Sequence, residues 1–239
     1  MASADRPRSW PNQRPRDAAT LIILDRSTDE PKVLMGRRHA GHRFMPGMFV
    51  FPGGRLERSD GLMKAASELR PEVATRLSAR VTRPSDRRGR ALALTAIRET
   101  YEETGLLIGR KTEGGSAPGR KAEGAWHSFH DAGILPDLEP VVFLGRAITP
   151  PRRPKRFDTR FFLVDRERIQ SESPGFVGPD KELVELVWVN LEEAQDLELP
   201  RITSIMLKEL GHRLGEGLDT DAPVPFYREA RGQFLRELL

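Results

Sequence analysis

The chain has 239 residues, 31% of them charged and 38% hydrophobic, and its formal net charge is +4. This balance is typical of a globular protein, and no apolar run approaches the roughly 18 residues that are needed to cross a bilayer. Because the chain contains no cysteine, its composition excludes disulfides, thiolate catalysis and zinc sites built on sulfur. Any metal ion must therefore be held by oxygen or imidazole ligands.

The first 17 residues are basic and contain prolines, and they lack the apolar run of about 7–15 residues that a secretory signal requires. We interpret them as a flexible leader on a cytoplasmic protein. Two further arginine clusters lie at 76–90 and 152–156. Such clusters attract phosphate or nucleic acid, although a solvated surface explains each cluster equally well.

Hydrophobic patterns after the leader predict strands mixed with helices. Residues 18–25 and 32–38 are apolar runs on either side of a turn-rich stretch, which predicts a hairpin, and a third run stops at Pro52-Gly53-Gly54. Further strands are predicted at 139–149, 156–164 and 182–189, and helices at 70–80, 190–197 and 202–214. The irregular order of strands and helices favours an α/β or α+β sandwich over a doubly wound sheet.

The clearest predicted helix covers residues 91–105. Leu94, Ile97 and Tyr101 recur at spacings of three and four residues, and Gly105 is well placed to end the helix.

The same helix carries three glutamates, Glu99, Glu102 and Glu103. At helical spacing they can project together, and their charges repel unless water or a cation lies between them. A solvated helix face is one explanation. A magnesium site is the other, because Mg²⁺ prefers oxygen ligands and the tight turn at 51–54 can add a backbone carbonyl.

These residues resemble the signature of the Nudix hydrolase superfamily, whose box reads G-x5-E-x7-R-E-U-x-E-E-x-G-U, with U a bulky aliphatic residue. The second half is present from Arg98 to Leu106, and Gly54 matches the opening glycine. Thr100 replaces an aliphatic residue, Asp60 follows Gly54 after five intervening residues where the box has Glu, and residues 61–97 replace a spacer of seven. An insertion of about 30 residues explains the spacing, since loop length costs entropy only slowly.

The resemblance implies an α/β (α+β) Nudix fold, with a mixed β-sheet sandwiched between helices and a helical insertion inside the box. We expect the domain to cover 18–215, with the insertion at 61–90, a flexible loop at 110–124 and a C-terminal extension at 216–239. The insertion could also serve as a dimer or partner surface. Residues 41–60 and 146–162 resemble the branch that contains the mammalian type 19 peroxisomal coenzyme A diphosphatase and its bacterial relatives.

By this resemblance, Glu102 and Glu103 are the principal ligands of Mg²⁺ or Mn²⁺, Glu99 is a further ligand or the general base, and the Gly53 carbonyl completes the shell. Arg98 is expected to hold the loop against the helix by pairing with a carboxylate. Glu182 and Glu185 are alternative candidates for the general base.

Substrate phosphates require basic side chains, for which the planar fork of arginine is well suited. The candidates are Arg37, Arg38, Arg156 and Arg160, and Phe44 is a candidate for lining a base or acyl pocket. Strand alternation places Arg156, Asp158 and Arg160 on one polar face, for which an exposed, salt-bridged surface is an equal explanation.

The implied activity is Mg²⁺-dependent cleavage of a diphosphate linked to a nucleoside, with coenzyme A or an acyl derivative as the favoured substrate. ADP-ribose, NADH and capped RNA are alternatives, and a non-catalytic nucleotide- or RNA-binding module is a hypothesis of another class. We expect a small-molecule nucleoside diphosphate derivative as partner and no membrane; nucleic acid is not favoured but stays open, and so does a homodimer. The terminal "FLRELL" lacks a peroxisomal address, which again favours the cytoplasm.

Overall fold

The computed structural model describes residues 10–41, 45–112, 124–218 and 221–239. Within these ranges the strands are β1 (Arg16–Asp25), β2 (Lys32–Arg38), β3 (Phe49–Val50), β4 (Gly53–Arg55), β5 (Leu106–Ile108), β6 (Arg110–Lys111), β7 (Ile134–Leu135), β8 (Val142–Ile148), β9 (Phe157–Asp165), β10 (Ile169–Glu172), β11 (Leu183–Asn190), β12 (Pro225–Ala230) and β13 (Gln233–Leu238). The helices are α1 (Pro71–Ser78), α2 (Asp86–Thr104), α3 (Ala125–Asp131), α4 (Leu191–Asp196) and α5 (Arg201–Glu216).

A mixed sheet forms the centre of the molecule, in the order β11-β2-β1-β9-β8-β12-β13, with β3 beside β2 and β4 beside β1. The pairs β1–β9 and β8–β12 are parallel, and the other neighbours in this sheet are antiparallel. The hairpin predicted at 18–38 is present, with Leu24 opposite Val33.

Helices cover both faces of this sheet, because β1 is apolar on both sides. Leu21 and Ile23 pack in one buried cluster with α2, while Ile22 and Leu24 pack in a second cluster with residues of α4 and α5. The predicted sandwich of a mixed sheet between helices is therefore confirmed.

The glutamate-bearing helix α2 begins at Asp86, five residues before the predicted start at 91. Its first turns are held by α1, whose Val73 and Leu77 are buried, and Gly89 lies where a Cβ atom would be 3.3 Å from the Leu77 Cβ. The helix ends as predicted at Gly105, which has φ +78° and donates its N–H to the Tyr101 carbonyl. Residues 61–90 thus contribute α1 and the first turn of α2.

Two regions differ from the sequence expectations. Arg110 and Lys111 form β6 against β7, so the flexible loop predicted at 110–124 is wrong for these two residues, and residues 113–123 of that loop lie outside the described ranges. In the stretch 216–239, β12 and β13 add to the central sheet through Phe226 opposite Arg146. No helix within the described ranges is both long and apolar enough to cross a membrane.

Candidate functional site

The three glutamates occupy the last turns of α2, where the glycine turn of β4 lies against them. Gly53 donates its N–H to Glu103 Oε2 at 3.4 Å. A Cβ atom on Gly54 would lie 2.4 Å from the Glu99 carboxyl group, so this approach is possible only without a side chain. The turn is fixed in place by β1, where Gly53 pairs with Thr20 and Gly54 with Ala19.

Loss of solvation raises the pKa of all three carboxyl groups, although Glu103 is buried, Glu99 is partly buried and Glu102 is exposed. Burial is the main cause that raises the pKa of Glu99 to about 7, opposed in part by the charge of Arg98. Burial also raises the pKa of Glu102. The pKa of Glu103, which is 5% exposed, is raised well above its usual range by burial and then by the charge of Glu182. Excess negative charge at this site would be relieved by a cation.

Arg98 holds the helix and the loop together, as the resemblance implied. Its guanidinium is buried and donates from Nε to Asp60 Oδ1 at 2.7 Å and from Nη2 to the Arg55 carbonyl at 2.9 Å. It also contacts Glu102 Oε2 at 2.6 Å and Glu99 Oε1 at 3.0 Å.

Asp60, to which the sequence analysis gave no role, is the main partner of Arg98 in the structure. Its side chain is fully buried and accepts hydrogen bonds from Arg98, from the Thr95 hydroxyl at 2.8 Å, from Trp126 Nε1 at 3.3 Å and from the Glu57 backbone N–H at 2.9 Å. The signal was present in the spacing, because Asp60 falls where the box has its first acidic residue. The structure shows that Asp60 supplies a carboxylate there and that the extra residues follow it.

Thr100 is a second departure from the box, and the structure accommodates it. The side chain is fully buried, and its hydroxyl donates to the Ala96 carbonyl at 2.7 Å within the same helix. The polar atom is satisfied locally, so the site does not need the usual aliphatic residue.

In the part of the chain that the structure describes, no three acidic or imidazole side chains surround a common point. The reason lies in the pairing, since Glu99 and Glu102 turn toward Arg98 while Glu103 turns toward Gly53. The donor set nevertheless fits a hard divalent ion, because every candidate ligand is an oxygen and the pKa values of all three carboxyl groups are raised. Binding an ion there requires Glu99 and Glu102 to rotate away from Arg98.

Arg38 is the predicted substrate residue that the structure brings close to the glutamates. Its guanidinium forms an ion pair with Glu182, and the charges of both residues act on the pKa of Glu103. Arg37 instead pairs with Glu185 at 2.9 Å, and both of these side chains are about half exposed. Of the two alternative bases, Glu182 therefore lies by the site, and Glu185 is held on the surface.

The other predicted substrate residues lie elsewhere. Arg160 is 1% exposed and pairs with Asp158 at 3.0 Å and with Asp17 at 3.2 Å, so burial disfavours a substrate contact. Arg156 precedes β9 and donates to the Thr149 carbonyl at 3.1 Å and to Asn12 Oδ1 at 2.8 Å. The polar face predicted for this strand is real for Asp158 and Arg160, but it is buried rather than exposed.

Phe44, the candidate for a base or acyl pocket, lies outside the described residues. Phe49, five residues further along the chain, is partly buried and packs against the core cluster on the α5 side of the sheet.

Comparisons with known proteins identify relatives of this chain. The crystal structure of a NUDIX hydrolase from Alicyclobacillus acidocaldarius is 32% identical, with 82% of this chain and 90% of that chain covered and a TM-score of 0.59. A curated Caenorhabditis elegans protein with the provisional name nudix hydrolase 7 is 26% identical over 188 residues, which cover 76% of this chain. The match covers 53% of that protein, so this chain spans about half the length of the curated relative. No protein-family model matches.

The family follows from the fold, the site and the similarity together. The mixed sheet between helices places a glycine turn against a helix that carries Arg98 and the three glutamates, and the Alicyclobacillus acidocaldarius protein is similar over most of both chains. The chain belongs to the Nudix hydrolase superfamily.

Proposed function

We propose that this protein is a divalent-metal-dependent hydrolase that cleaves the diphosphate linkage of a nucleoside diphosphate derivative, with coenzyme A or an acyl-coenzyme A as the favoured substrate. One observation carries the proposal: the glutamates on α2 face a glycine turn, and their carboxyl groups outnumber the single positive charge of Arg98. Arg98 itself is shared with Asp60, so its single charge cannot balance the cluster.

The ion that we propose is Mg²⁺ or Mn²⁺, held by Glu102 and Glu103, with Glu99 and the Gly53 carbonyl as further ligands. When bound, such an ion neutralises diphosphate oxygens and lowers the pKa of water. Glu103 suits the role of principal ligand because its carboxyl group is buried beside the turn and has no arginine hydrogen bonded to it in the described ranges.

The reaction requires a general base and a cationic side chain that binds the substrate phosphates. With a pKa of about 7, Glu99 can accept the proton of the attacking water near neutral pH. The water oxygen bonds to one phosphorus, the bond from that phosphorus to the bridging oxygen breaks, and the second phosphate leaves with the electron pair. Arg38, close to Glu103, would hold phosphate oxygens once it releases Glu182. Glu182 is the alternative base because it lies by the same carboxylate.

The preference for coenzyme A rests on the sequence resemblance of residues 41–60 and 146–162 to the coenzyme A diphosphatase branch. ADP-ribose, NADH and capped RNA also contain phosphoanhydride bonds and stay as alternatives, since a fold does not determine a substrate.

A non-catalytic nucleotide-binding module is the second candidate, and one observation favours it. Arg98 forms ion pairs with Glu99 and Glu102, and among the described residues no three metal-ligating side chains are already grouped around one point. A binding module would retain nucleotides without turning them over.

The test is hydrolysis of a panel with Mg²⁺ or Mn²⁺: coenzyme A, acetyl-coenzyme A, ADP-ribose, NADH and capped RNA. Glu103→Gln removes the proposed ligand, and Glu185→Gln is the control because Glu185 is a half-exposed partner of Arg37. We expect coenzyme A to yield 3′,5′-ADP and phosphopantetheine with wild type and Glu185→Gln, and not with Glu103→Gln. Preference for another substrate would reject the coenzyme A assignment, and no turnover of any substrate would favour the binding module.

A further inference from the structure

An open cavity of about 430 Å³ lies away from the glutamates, between the start of α2, the end of β8 and strand β12. Its lining is rich in one residue type: Arg14, Arg80, Arg83, Arg88, Arg146 and Arg228. Two of the arginine clusters noted in the sequence, the leader and 76–90, therefore meet in one concave surface.

Acidic partners neutralise these six arginines only in part. Arg88 binds both oxygens of Asp17, and Arg146 binds both oxygens of Asp158.

A third carboxylate, Glu237, is shared by Arg80 and Arg228. Arg14 and Arg83 are exposed, and neither has an ion pair among the described residues. Six positive charges thus face three negative charges.

A further arginine lies next to this group. Arg160 is buried and pairs with Asp158, which lines the cavity, and its pKa is lowered by burial and by repulsion from Arg146 and Arg88. The Arg160 Nε atom has no hydrogen-bond partner within the part of the chain that the structure describes. Asp158 and Asp17, which neutralise Arg160, are the same carboxylates that serve Arg146 and Arg88.

The deep arginines are held in place, whereas those at the rim are available. The Arg146 guanidinium lies 4.4 Å from the centre of the Phe226 ring and donates to the Ala79 and Arg80 carbonyls at 3.2 and 3.3 Å. A fixed cation with free arginines beside it requires little rearrangement to receive an anion.

The cavity is distinct from the glutamate site. Arg88 and Glu99 are eleven residues apart on the same helix, which separates them by roughly 16 Å at about 1.5 Å per residue. The buried network of Asp60, Thr95 and Arg98 lies between them.

We propose that this cavity is a binding site for a small polyphosphate anion, such as inorganic triphosphate or the triphosphate group of a nucleotide. Arginine forks suit phosphate oxygens, and the volume falls within the range of about 300–1,000 Å³ that is usual for small-molecule sites. The concave shape favours a compact anion over a nucleic-acid strand. The proposal is independent of whether the glutamate site hydrolyses diphosphates.

Isothermal titration calorimetry of the full chain with inorganic triphosphate and with ATP, in EDTA, tests the proposal. EDTA removes divalent cations, so binding that depends on metal at the glutamates is suppressed. We expect one site per chain in wild type and in Glu103→Gln, and at least tenfold weaker binding in the double variant Arg14→Ala/Arg83→Ala. Arg87→Ala is the matched control, because Arg87 is exposed, lies near Arg83 in sequence and does not line the cavity.

Both substituted arginines are exposed, so the double variant should keep the wild-type melting temperature, which is measured beside the titration. Binding of ATP but not triphosphate would locate recognition in the base and overturn the proposal. No binding of either anion, equal weakening by Arg87→Ala, or loss of binding in Glu103→Gln would overturn it as well. Tighter, competing binding of a single-stranded RNA oligonucleotide would replace it with a nucleic-acid surface.

Discussion

Arg98 has one positive charge and contacts three carboxyl groups, those of Asp60, Glu99 and Glu102. A single arginine cannot neutralise all three, which makes the site suitable for a cation. The Asp60 side chain is fully buried against Arg98, whereas the Glu102 side chain is 42% exposed. The pairing with Asp60 also fixes the Arg55 carbonyl, and with it the end of the glycine turn. We therefore propose that Asp60 positions Arg98 and that the glutamates are the residues that bind a cation.

Asp60→Asn should destabilise the protein strongly, because it removes the negative charge of the fully buried carboxylate that pairs with Arg98. Breaking a buried ion pair by removing one partner costs about 3–5 kcal/mol. The control is Asp165→Asn, which breaks the exposed pair with Arg26 and should cost less than about 1 kcal/mol. Urea denaturation measures both, and equal midpoints for the two variants would contradict the role given to Asp60.

Gly54→Ala should reduce hydrolysis more than it reduces stability. The added Cβ atom would lie 2.4 Å from the Glu99 carboxyl group, so the glutamate or the turn must move. Gly61→Ala is the control, since the nearest atom to its Cβ would be Ala91 Cβ at 3.9 Å. We expect a fall in kcat of at least tenfold for Gly54→Ala and little change for Gly61→Ala. A wild-type kcat in both variants would show that the position of Glu99 does not matter for the reaction.

At the scale of elements, α2 is the unit that joins the insertion to the site. The first half of α2 packs on α1, which belongs to the predicted insertion. The last turns of α2 carry the glutamates, so one helix connects the insertion to the site. Gly105 sets where this helix stops, because the chain turns there with φ +78° and a Cβ atom would lie 2.2 Å from the Ser173 carbonyl oxygen.

Gly105→Ala should therefore lower the free energy of unfolding. The left-handed conformation costs an L-residue about 1–2 kcal/mol, and the contact with Ser173 adds to this cost. Gly215→Ala in α5 is the matched control, because a Cβ atom there meets nothing within 4 Å and helix propensity should stabilise by up to about 1 kcal/mol. The melting temperature should fall for Gly105→Ala and rise for Gly215→Ala. A change in the same direction for both variants would refute the explanation.

The sequence was informative where a pattern is local. The hairpin of β1 and β2 follows from apolar runs around a turn, and the end of α2 follows from a glycine after a periodic segment. Sequence reasoning missed β12 and β13, because strands such as Gln233–Leu238 are largely exposed and carry little apolar signal. It also could not place Arg160, since burial of an arginine depends on distant Asp17 and Asp158 rather than on neighbours in the chain.

At the scale of the whole molecule, the glutamate site links stability to pH. Glu99 has a pKa of about 7 in the folded, metal-free protein, against 4.5 for a glutamate that is fully exposed to water. Its contribution is fully present below pH 4.5 and is lost as the pH rises through 7, because the folded state then binds more protons than the unfolded state. Asp25 and Glu237, whose pKa values are lowered to about 2, change stability only at lower pH.

In EDTA, the free energy of unfolding should fall between pH 5 and pH 8 by a contribution on the order of 3 kcal/mol from Glu99. Mg²⁺ should restore part of this loss at pH 8 and little at pH 5. The Glu99→Gln variant lacks the titrating group and should show a flatter profile. Chemical denaturation at several pH values measures the effect, and stability that rises from pH 5 to pH 8 in EDTA at the same rate in both proteins would contradict it.

The central claim is that the glutamates of α2 form a metal site rather than a solvated helix face. The most direct test is Mn²⁺ binding, measured by electron paramagnetic resonance on wild type, Glu103→Gln and the surface control Glu185→Gln. We predict a saturable Mn²⁺ site in wild type and in Glu185→Gln, and affinity at least tenfold weaker in Glu103→Gln. Equal Mn²⁺ affinity in all three proteins, or no saturable binding in wild type, would contradict the claim.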